Sequence, residues 1–311
     1  MKASSTSRAR PLFAFLGRIE GLPVVAVLGI LYIVFYITAP RVFSGYRIYM
    51  SFLQTVPPML VCALGLTFVI TAGEIDMSFP SVIAFAGFVF AWVFRTFDAP
   101  WAGLLLALAA GGLIGYTNGL LVARIGVPSI MATLATKFFW SGLTVLLAGG
   151  LSWNIKGIRE HVVHTIFVGR VFGVVPAQAL WALGLAAFLW FILNRHKLGE
   201  EIMFVGDNPD VARVMGVNVE ATKIKLFTIN GVIVGFAAVL LTMEMTTFWT
   251  TQGQGFLLQA MAAVFIGGTS IAGGEGSIVG SLFGAYIIGS LEAGVVATGI
   301  GGYWTQLVTG L

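Results

Sequence analysis

Charge is what this chain has least of. Lysine, arginine, aspartate and glutamate together make up 10% of its 311 residues, where a soluble domain carries roughly 25%. So few charges cannot cover a water-facing surface, and a water-soluble globular protein is excluded. Cysteine is nearly absent. Cys62 stands alone inside an apolar run, which excludes an internal disulfide. Histidine is almost as scarce. His161 and His164 stand three apart with only Glu160 as a further ligand nearby, so they read as a solvated face and no metal site is expected. No G-x-x-x-x-G-K-[ST] string occurs, which excludes a nucleotide-binding loop in this polypeptide. Segments of ~10 alternating polar and apolar residues are also missing, so helices are preferred over a transmembrane barrel. No catalytic residue set emerges, and no covalent chemistry is expected.

What the chain does contain is apolar side chains and glycine. Hydrophobic residues reach 58%, with 40 glycines and a mean hydropathy of +0.96. A helix crosses the hydrocarbon core with about 20 apolar residues. Uncharged runs of that order recur from residue 21 onward. The expected fold is all-α: a polytopic transmembrane helical bundle forming a single domain over 1–311, with about ten spans. These are placed at 22–39, 56–73, 80–95, 100–123, 127–149, 177–194, 224–245, 256–272, 276–298 and 302 onward. The last stops at Leu311 about half-way through an apolar run and reads as truncated. The glycines fit close helix–helix approach.

Positive charge orients the spans. Lys2, Arg8, Arg10 and Arg18 precede the first one, which reads as uncleaved. Arg195, Lys197, Arg213, Lys223 and Lys225 cluster after the sixth, and Arg124 falls on the same side. The expectation is a bacterial inner membrane protein with a cytoplasmic N-terminus, a cytoplasmic loop at 195–222 and a periplasmic loop at 150–176. The predicted outer loops still hold Arg41, Arg47, Arg95, Lys156, Arg159 and Arg170, so the bias is moderate. The basic pI of about 9.3 reflects this orientation and membrane lipid as a partner, not nucleic acid. Lys137, near the start of a span, is expected to snorkel to the inner surface. The tryptophans mostly fall near span ends, as an aromatic belt would, and some suit stacking on a sugar face.

Three segments depart from the apolar pattern. In the first, Glu74, Asp76 and Ser78 interrupt an apolar run just before Phe79 and Pro80. A charged side chain at the bilayer centre costs about 2.5–3.5 kcal/mol on insertion scales. The segment is therefore either a broken helix lining a pathway or an inside turn with its carboxylates in headgroup water. Ser78 is placed to cap the helix that Pro80 starts. The second is 267–277, which carries Gly268, Thr269, Ser270, Gly273 and Glu275. Such dense glycine breaks helices, and in a membrane irregular backbone survives only against protein or water. A pathway segment and a surface turn both fit. Residues 69–90 and 264–287 also share one pattern, an apolar run, a Gly/Ser/acid break and a second apolar run, which gives two pseudo-repeated halves with broken helices.

The third segment lies in the inside loop. Asn208 at a cap, Pro209 at the first position, Asp210 in the first turn and Gly216 at the end spell a short helix over about 208–216. Val211, Val214 and Met215 form an apolar stripe with Arg213 opposite. It is either a surface helix or a docking helix.

Asp210, Val211, Ala212 and Gly216 resemble the EAA-x-x-x-G coupling motif of ATP-binding-cassette permeases, with Asp210 and Val211 departing from it. Residues 73–78 (GEIDMS), Asn118 with the run to Val122, 127–136 (VPSIMATLAT) and 262–277 resemble the ribose-type sugar permeases of binding-protein-dependent importers. Phe79 and Pro80 stand where that family commonly has Val-Gly. The resemblance covers the chain from about residue 54 to its end.

It implies a permease subunit that moves a monosaccharide or polyol by alternating access and pairs with a second permease copy or homologue. A periplasmic binding protein delivers the solute. A partner ATPase subunit binds ATP and Mg²⁺, so this chain holds no cofactor. It further implies that Asp207, Asn208, Pro209, Asp210, Ala212, Arg213 and Gly216 couple to the ATPase. Glu74, Asp76, Ser78, Phe79, Asn118, Gly268, Thr269, Ser270, Gly273 and Glu275 then belong to the translocation pathway. The alternatives are a permease of the same kind for a nucleoside, an autoinducer or an amino acid, and an ion-coupled secondary transporter with Glu74 and Asp76 as a relay.

Overall fold

The computed structural model describes residues 21–297 together with Trp304 and Leu307. The four basic residues of the N-terminal tail, and all of the expected last span except those two residues, lie outside the described residues. Prolines open most of the early helices, where a missing N–H costs nothing and the fixed φ suits the first turn. They stand at the start of α1 (Leu22–Thr38), α2 (Pro40–Phe43), α4 (Pro57–Thr71), α5 (Phe79–Phe97) and α6 (Pro100–Ala123). Between α2 and α4 runs α3 (Tyr46–Thr55), and α7 (Ser129–Ala148) follows α6. After the short α8 (Val162–Phe167) come α9 (Ala177–Arg195), α10 (Lys197–Asp207) and α11 (Pro209–Val214). The chain continues through α12 (Val219–Met245), α13 (Phe256–Ile266) and α14 (Ile278–Ala297).

Six of these are long and apolar enough to cross a membrane: α5, α6, α7, α9, α12 and α14. The pair α3 and α4, bent by 50° at Val56, makes a seventh. The structure is a helical multi-pass membrane protein, but the described residues do not reach about ten spans. With 17 residues α1 falls just short of the others. The expected span at 256–272 is cut by glycine. At 11 residues α13 is about 16 Å long, against a hydrocarbon core of ~30 Å. It ends at Gly267, where added side-chain bulk would collide with the backbone of Gly280 and Ser281, and Gly268 follows at φ +88°.

The centre of the bundle is α4, every residue of which is buried, with α12 beside it. The tightest interface joins α6 to α12. Gly111, Gly115 and Gly119 recur every fourth residue on α6 and face Gly231, Phe227 and Ile224. A Cβ at Gly115 would strike the Phe227 carbonyl, and one at Gly231 the Gly111 carbonyl. Small residues at this spacing let two helix backbones touch, as packing in lipid requires.

The spans place their connections at two ends. One end gathers 72–78, 124–128, the α10–α11 loop and 267–277. The other gathers 149–176 and 246–255, where β1 (Trp153–Asn154) pairs antiparallel with β4 (Thr247–Phe248). A small hairpin of β2 (Arg170–Val171) and β3 (Val175–Pro176) leads into α9. Here Arg95 lies over the Trp153 ring, 5.1 Å from its centroid, and His161 pairs with Asp98 at 3.1 Å.

Candidate functional site

At the loop end, α11 is built as its residues dictate. The Asn208 side-chain oxygen accepts from the backbone N–H of Asp210 (3.0 Å) and Val211 (3.1 Å), and Pro209 opens the first turn. Gly216 closes the helix at φ +86°, with Gly216 N–H donating to Arg213 O and Val217 N–H to Ala212 O. The result is one face in and one face out. Ala212 is fully buried against Val205 and Val219. Val214 is 90% exposed, and Val211 and Met215 are exposed beside it. Arg213 pairs with Asp210 at 2.6 Å in solvent, which at an exposed site adds little stability. Val211, Val214 and Met215 thus form an exposed apolar patch on a polar loop.

Sequence reading missed α10, the helix that ties α11 to the bundle. Its Ile202, Val205 and Gly206 are buried, and Gly199 lets it fold back on the end of α9. The atoms nearest the Cα of Gly206 on its open side are backbone. A Cβ there would strike the Thr71 carbonyl and the Gly274 N–H, which are themselves hydrogen bonded at 2.8 Å. Gly273, at φ +86°, sits against Gly206 and Gly73. Asp207 shares a cleft with Ser270, Gly273, Gly274 and Glu275. The expected coupling residues and one group of expected pathway residues therefore meet across Gly206.

The segment 72–78 joins α4 to α5 at this same end. Lys223 Nζ, in the second turn of α12, donates to Glu74 Oε1 in a pair that is largely buried. Asp76 is 2% exposed and fully engaged. Its Oδ1 accepts from the backbone N–H (2.8 Å) and hydroxyl (2.6 Å) of Ser78, and its Oδ2 from Asn230 Nδ2 (2.8 Å). Asn118 Nδ2 in turn donates to Ser78 Oγ (2.7 Å). The Ser78 hydroxyl is thus spent on the network. The residue stands at the cap position of α5 without making a side-chain cap, contrary to the role expected for it. Phe79 is fully buried behind it. The backbone of the segment is pinned to α7: Ile75 N–H donates to Ser129 Oγ (3.1 Å) and Met77 N–H to Thr133 Oγ1 (3.0 Å).

The break at 267–277 is held differently. Thr269 N–H reaches back to Val264 O, Ser270 N–H donates to Glu275 O, and Thr269 Oγ1 accepts from Ser277 N–H (3.3 Å). Ser277 Oγ accepts from Gly280 N–H (2.8 Å) as a true N-cap for α14. Glu275 and Gly268 are exposed, while Thr269 is buried. The two segments of the sequence repeat therefore both fold as helix, break, helix, and their breaks touch at Gly73 and Gly273.

A further polar group at the opposite end had no sequence signal beyond Glu244 itself. Gln54, at the foot of α3, and Gln178, in the first turn of α9, both donate to the Glu244 carboxylate near the end of α12. Arg170 donates to Gln54 Oε1 at 3.3 Å.

Apolar spans packed through glycine, with irregular backbone gathered at one end beneath an exposed capped helix, define a multi-pass membrane protein. Residues 48–311 match the family described as branched-chain amino acid transport system / permease component, and the chain belongs to that family. It is similar to the ribose import permease protein of Escherichia coli (strain K12), with 32% identity over 261 residues, 83% of this chain and 80% of the relative. It is also similar to the fructose import permease protein of Rhizobium meliloti, at 31% over 304 residues, 92% of this chain and 82% of the relative. The autoinducer 2 import system permease protein of Yersinia pseudotuberculosis serotype O:1b (strain IP 31758) shares 29% over 253 residues, 81% of this chain and 71% of the relative. No solved structure matches the chain.

Proposed function

We propose that this chain is the membrane-spanning subunit of an ATP-binding-cassette importer in the bacterial inner membrane and that it moves a monosaccharide or polyol. In this reading the α10–α11 end is cytoplasmic, as is the N-terminus, and 150–176 faces the periplasm. The positive residues after α9 support that orientation. A partner ATPase subunit binds ATP and Mg²⁺ and docks on α11. A periplasmic binding protein releases solute at the opposite end, and a second permease copy completes the pathway. This chain does no chemistry of its own.

The observation that carries the reading is α11, a rigidly capped helix with its apolar side chains turned outward and its buried side seated on α10. From α10, backbone contacts run to both breaks. A displacement of α11 therefore reaches 72–78 and 267–277, the segments assigned to the pathway through Glu74, Asp76, Ser78, Phe79, Asn118, Gly268, Thr269, Ser270, Gly273 and Glu275. Two of the named relatives carry a monosaccharide in their names, which supports the cargo class. The autoinducer 2 relative makes that solute the second cargo to test. A carrier driven by ions through Glu74 is disfavoured, because Lys223 already neutralises that carboxylate.

The test is reconstitution of the chain with its ATPase and binding protein in liposomes, followed by uptake of labelled ribose, fructose and autoinducer 2. ATP-dependent uptake of a sugar, abolished by Val214→Asp with ATP hydrolysis still running, is expected. Uptake that persists without the ATPase and collapses with an uncoupler would sink the proposal.

A further inference from the structure

The turn between β2 and β3 carries an unusual residue for its shape. Val174 N–H closes it on Val171 O at 3.2 Å, and its two central residues, Phe172 and Gly173, stand at φ +53° and +72°. Positive φ at both positions suits Asn-Gly, Asp-Gly or Gly-Gly. A bulky side chain in that conformation crowds its own backbone and is held there at a cost. Packing inside the chain does not offset the cost. Phe172 is 96% exposed, more than any other large apolar side chain among the described residues. A strained residue with its ring in the open points to a role in binding.

Next to the hairpin lies a cleft that is short of negative charge. Arg170, on β2 two residues before Phe172, walls a hollow of about 400 Å³ together with Tyr46, Arg47, Ser51 and Gln54. Tyr46, Arg47 and Ser51 also wall a neighbouring hollow of about 460 Å³ that reaches Arg41. Arg41 and Arg47 make no ion pair among the described residues, and Arg170 donates to the neutral amide of Gln54. Arg47 stands in the first turn of α3, where the helix dipole disfavours a cation. Two of the carboxylates at this end are held elsewhere, Asp98 by His161 and Glu244 by Gln54 and Gln178. In the transport reading this end is periplasmic, where arginine and lysine are ordinarily sparse. Three arginines gathered there without a counter-charge call for one from outside the chain.

We infer that the Phe172 turn and the adjoining arginine cleft form the landing surface for an acidic periplasmic protein, the one that delivers solute in the transport reading on which this inference rests. Carboxylates on the rim of that protein enter the cleft between Arg47 and Arg170. The Phe172 ring sits in an apolar hollow beside them, and the contact offsets the strain of the turn. Aromatic residues and arginine are the types enriched at protein interfaces and at their hot spots. A lipid surface also takes rings and cations, but it makes no use of a walled cleft that holds a hydroxyl and an amide.

The experiment uses the complete transporter in phosphatidylcholine nanodiscs, with the fluorophore bimane on Val174→Cys beside the ring. Native Cys62 is fully buried in α4, so the unsubstituted chain is the labelling blank. A parallel sample carries phosphatidylglycerol in the disc. Emission typical of water is expected in both discs, with a shift to the blue when the solute-loaded binding protein is added. Phe172→Asn should weaken binding of that protein about tenfold or more. The same variant should keep or raise Tm, because Asn suits the turn, whereas a purely structural Phe172 would lower Tm on replacement. Arg47→Glu with Arg170→Glu should weaken binding at least as much and flatten its dependence on salt. A blue shift present before any protein is added, and growing with phosphatidylglycerol, would overturn the inference and make the turn a lipid anchor. Equal affinity of both variants and the unsubstituted chain would overturn it too. The transport reading fails separately, in the unsubstituted chain, as solute uptake that needs no ATPase.

Discussion

The breaks at 72–78 and 267–277 share an architecture and are stabilised in opposite ways. The first is held by side chains. Asp76, Ser78, Asn118 and Asn230 join the break to α6 and α12, while Ser129 and Thr133 of α7 take its backbone. The second is held mainly by its own backbone and by glycine, with Gly268, Gly273 and Gly274 all at positive φ and one side-chain acceptor, Thr269 Oγ1, taking the Ser277 N–H. A network of charged and amide groups fixes one geometry, because any member removed leaves another unpaired. The glycine-rich break relies on close backbone fit, so it fails on added bulk. One break is fixed by a side-chain network and the other by backbone contact, although both derive from similar stretches of sequence.

The comparison can be broken most severely at Gly273. Gly273→Val forces a branched side chain into left-handed backbone and against the backbone of Gly73 and Gly206. A loss of about 3 kcal/mol or more in stability is expected, read as a marked fall in Tm of the purified protein together with loss of uptake. At the other break Asp76→Ala leaves the Ser78 hydroxyl and Asn230 amide facing each other without an acceptor. About 2–3 kcal/mol is expected, and Asp76→Asn should recover part of it. Equal Tm values for the alanine variant and the unsubstituted chain would show that the side-chain network carries no load. The smallest effect belongs to Ser277→Ala, which removes the α14 cap and should cost about 1 kcal/mol. Ser78→Ala should exceed it, since Ser78 serves the network instead of its own helix. If the two serines cost the same in denaturation, the contrast between the breaks is lost.

What could be read from the sequence was what is local. The cap at Asn208, the stop at Gly216 and the apolar outer stripe of α11 lie within nine residues of one another, so spacing alone specifies them. The glycine-rich break was legible for the same reason. The network around Asp76 was not, because Asn118, which donates to Ser78, and Asn230, which donates to Asp76, lie on helices 42 and 154 residues further along the chain than Asp76. Nor was Lys223 as the counter-charge of Glu74. Segment α10 escaped because its helix exists through burial of Ile202 and Val205, with glycines at its margins where a loop is the local expectation. Span counting overshot for a physical reason as well. The span expected at 256–272 ran into the glycine-rich break, and the helix stops at its first glycine, where Gly267 fits against Gly280 and Ser281.

At Gly206 main chain rests directly on main chain, with the backbone of Thr71, Gly73, Gly273 and Gly274 close to it. A joint made with side chains can absorb a small displacement by changing rotamer. The Gly206 contact itself has no rotamer to change, so one small displacement there meets the backbone of both breaks at the same point.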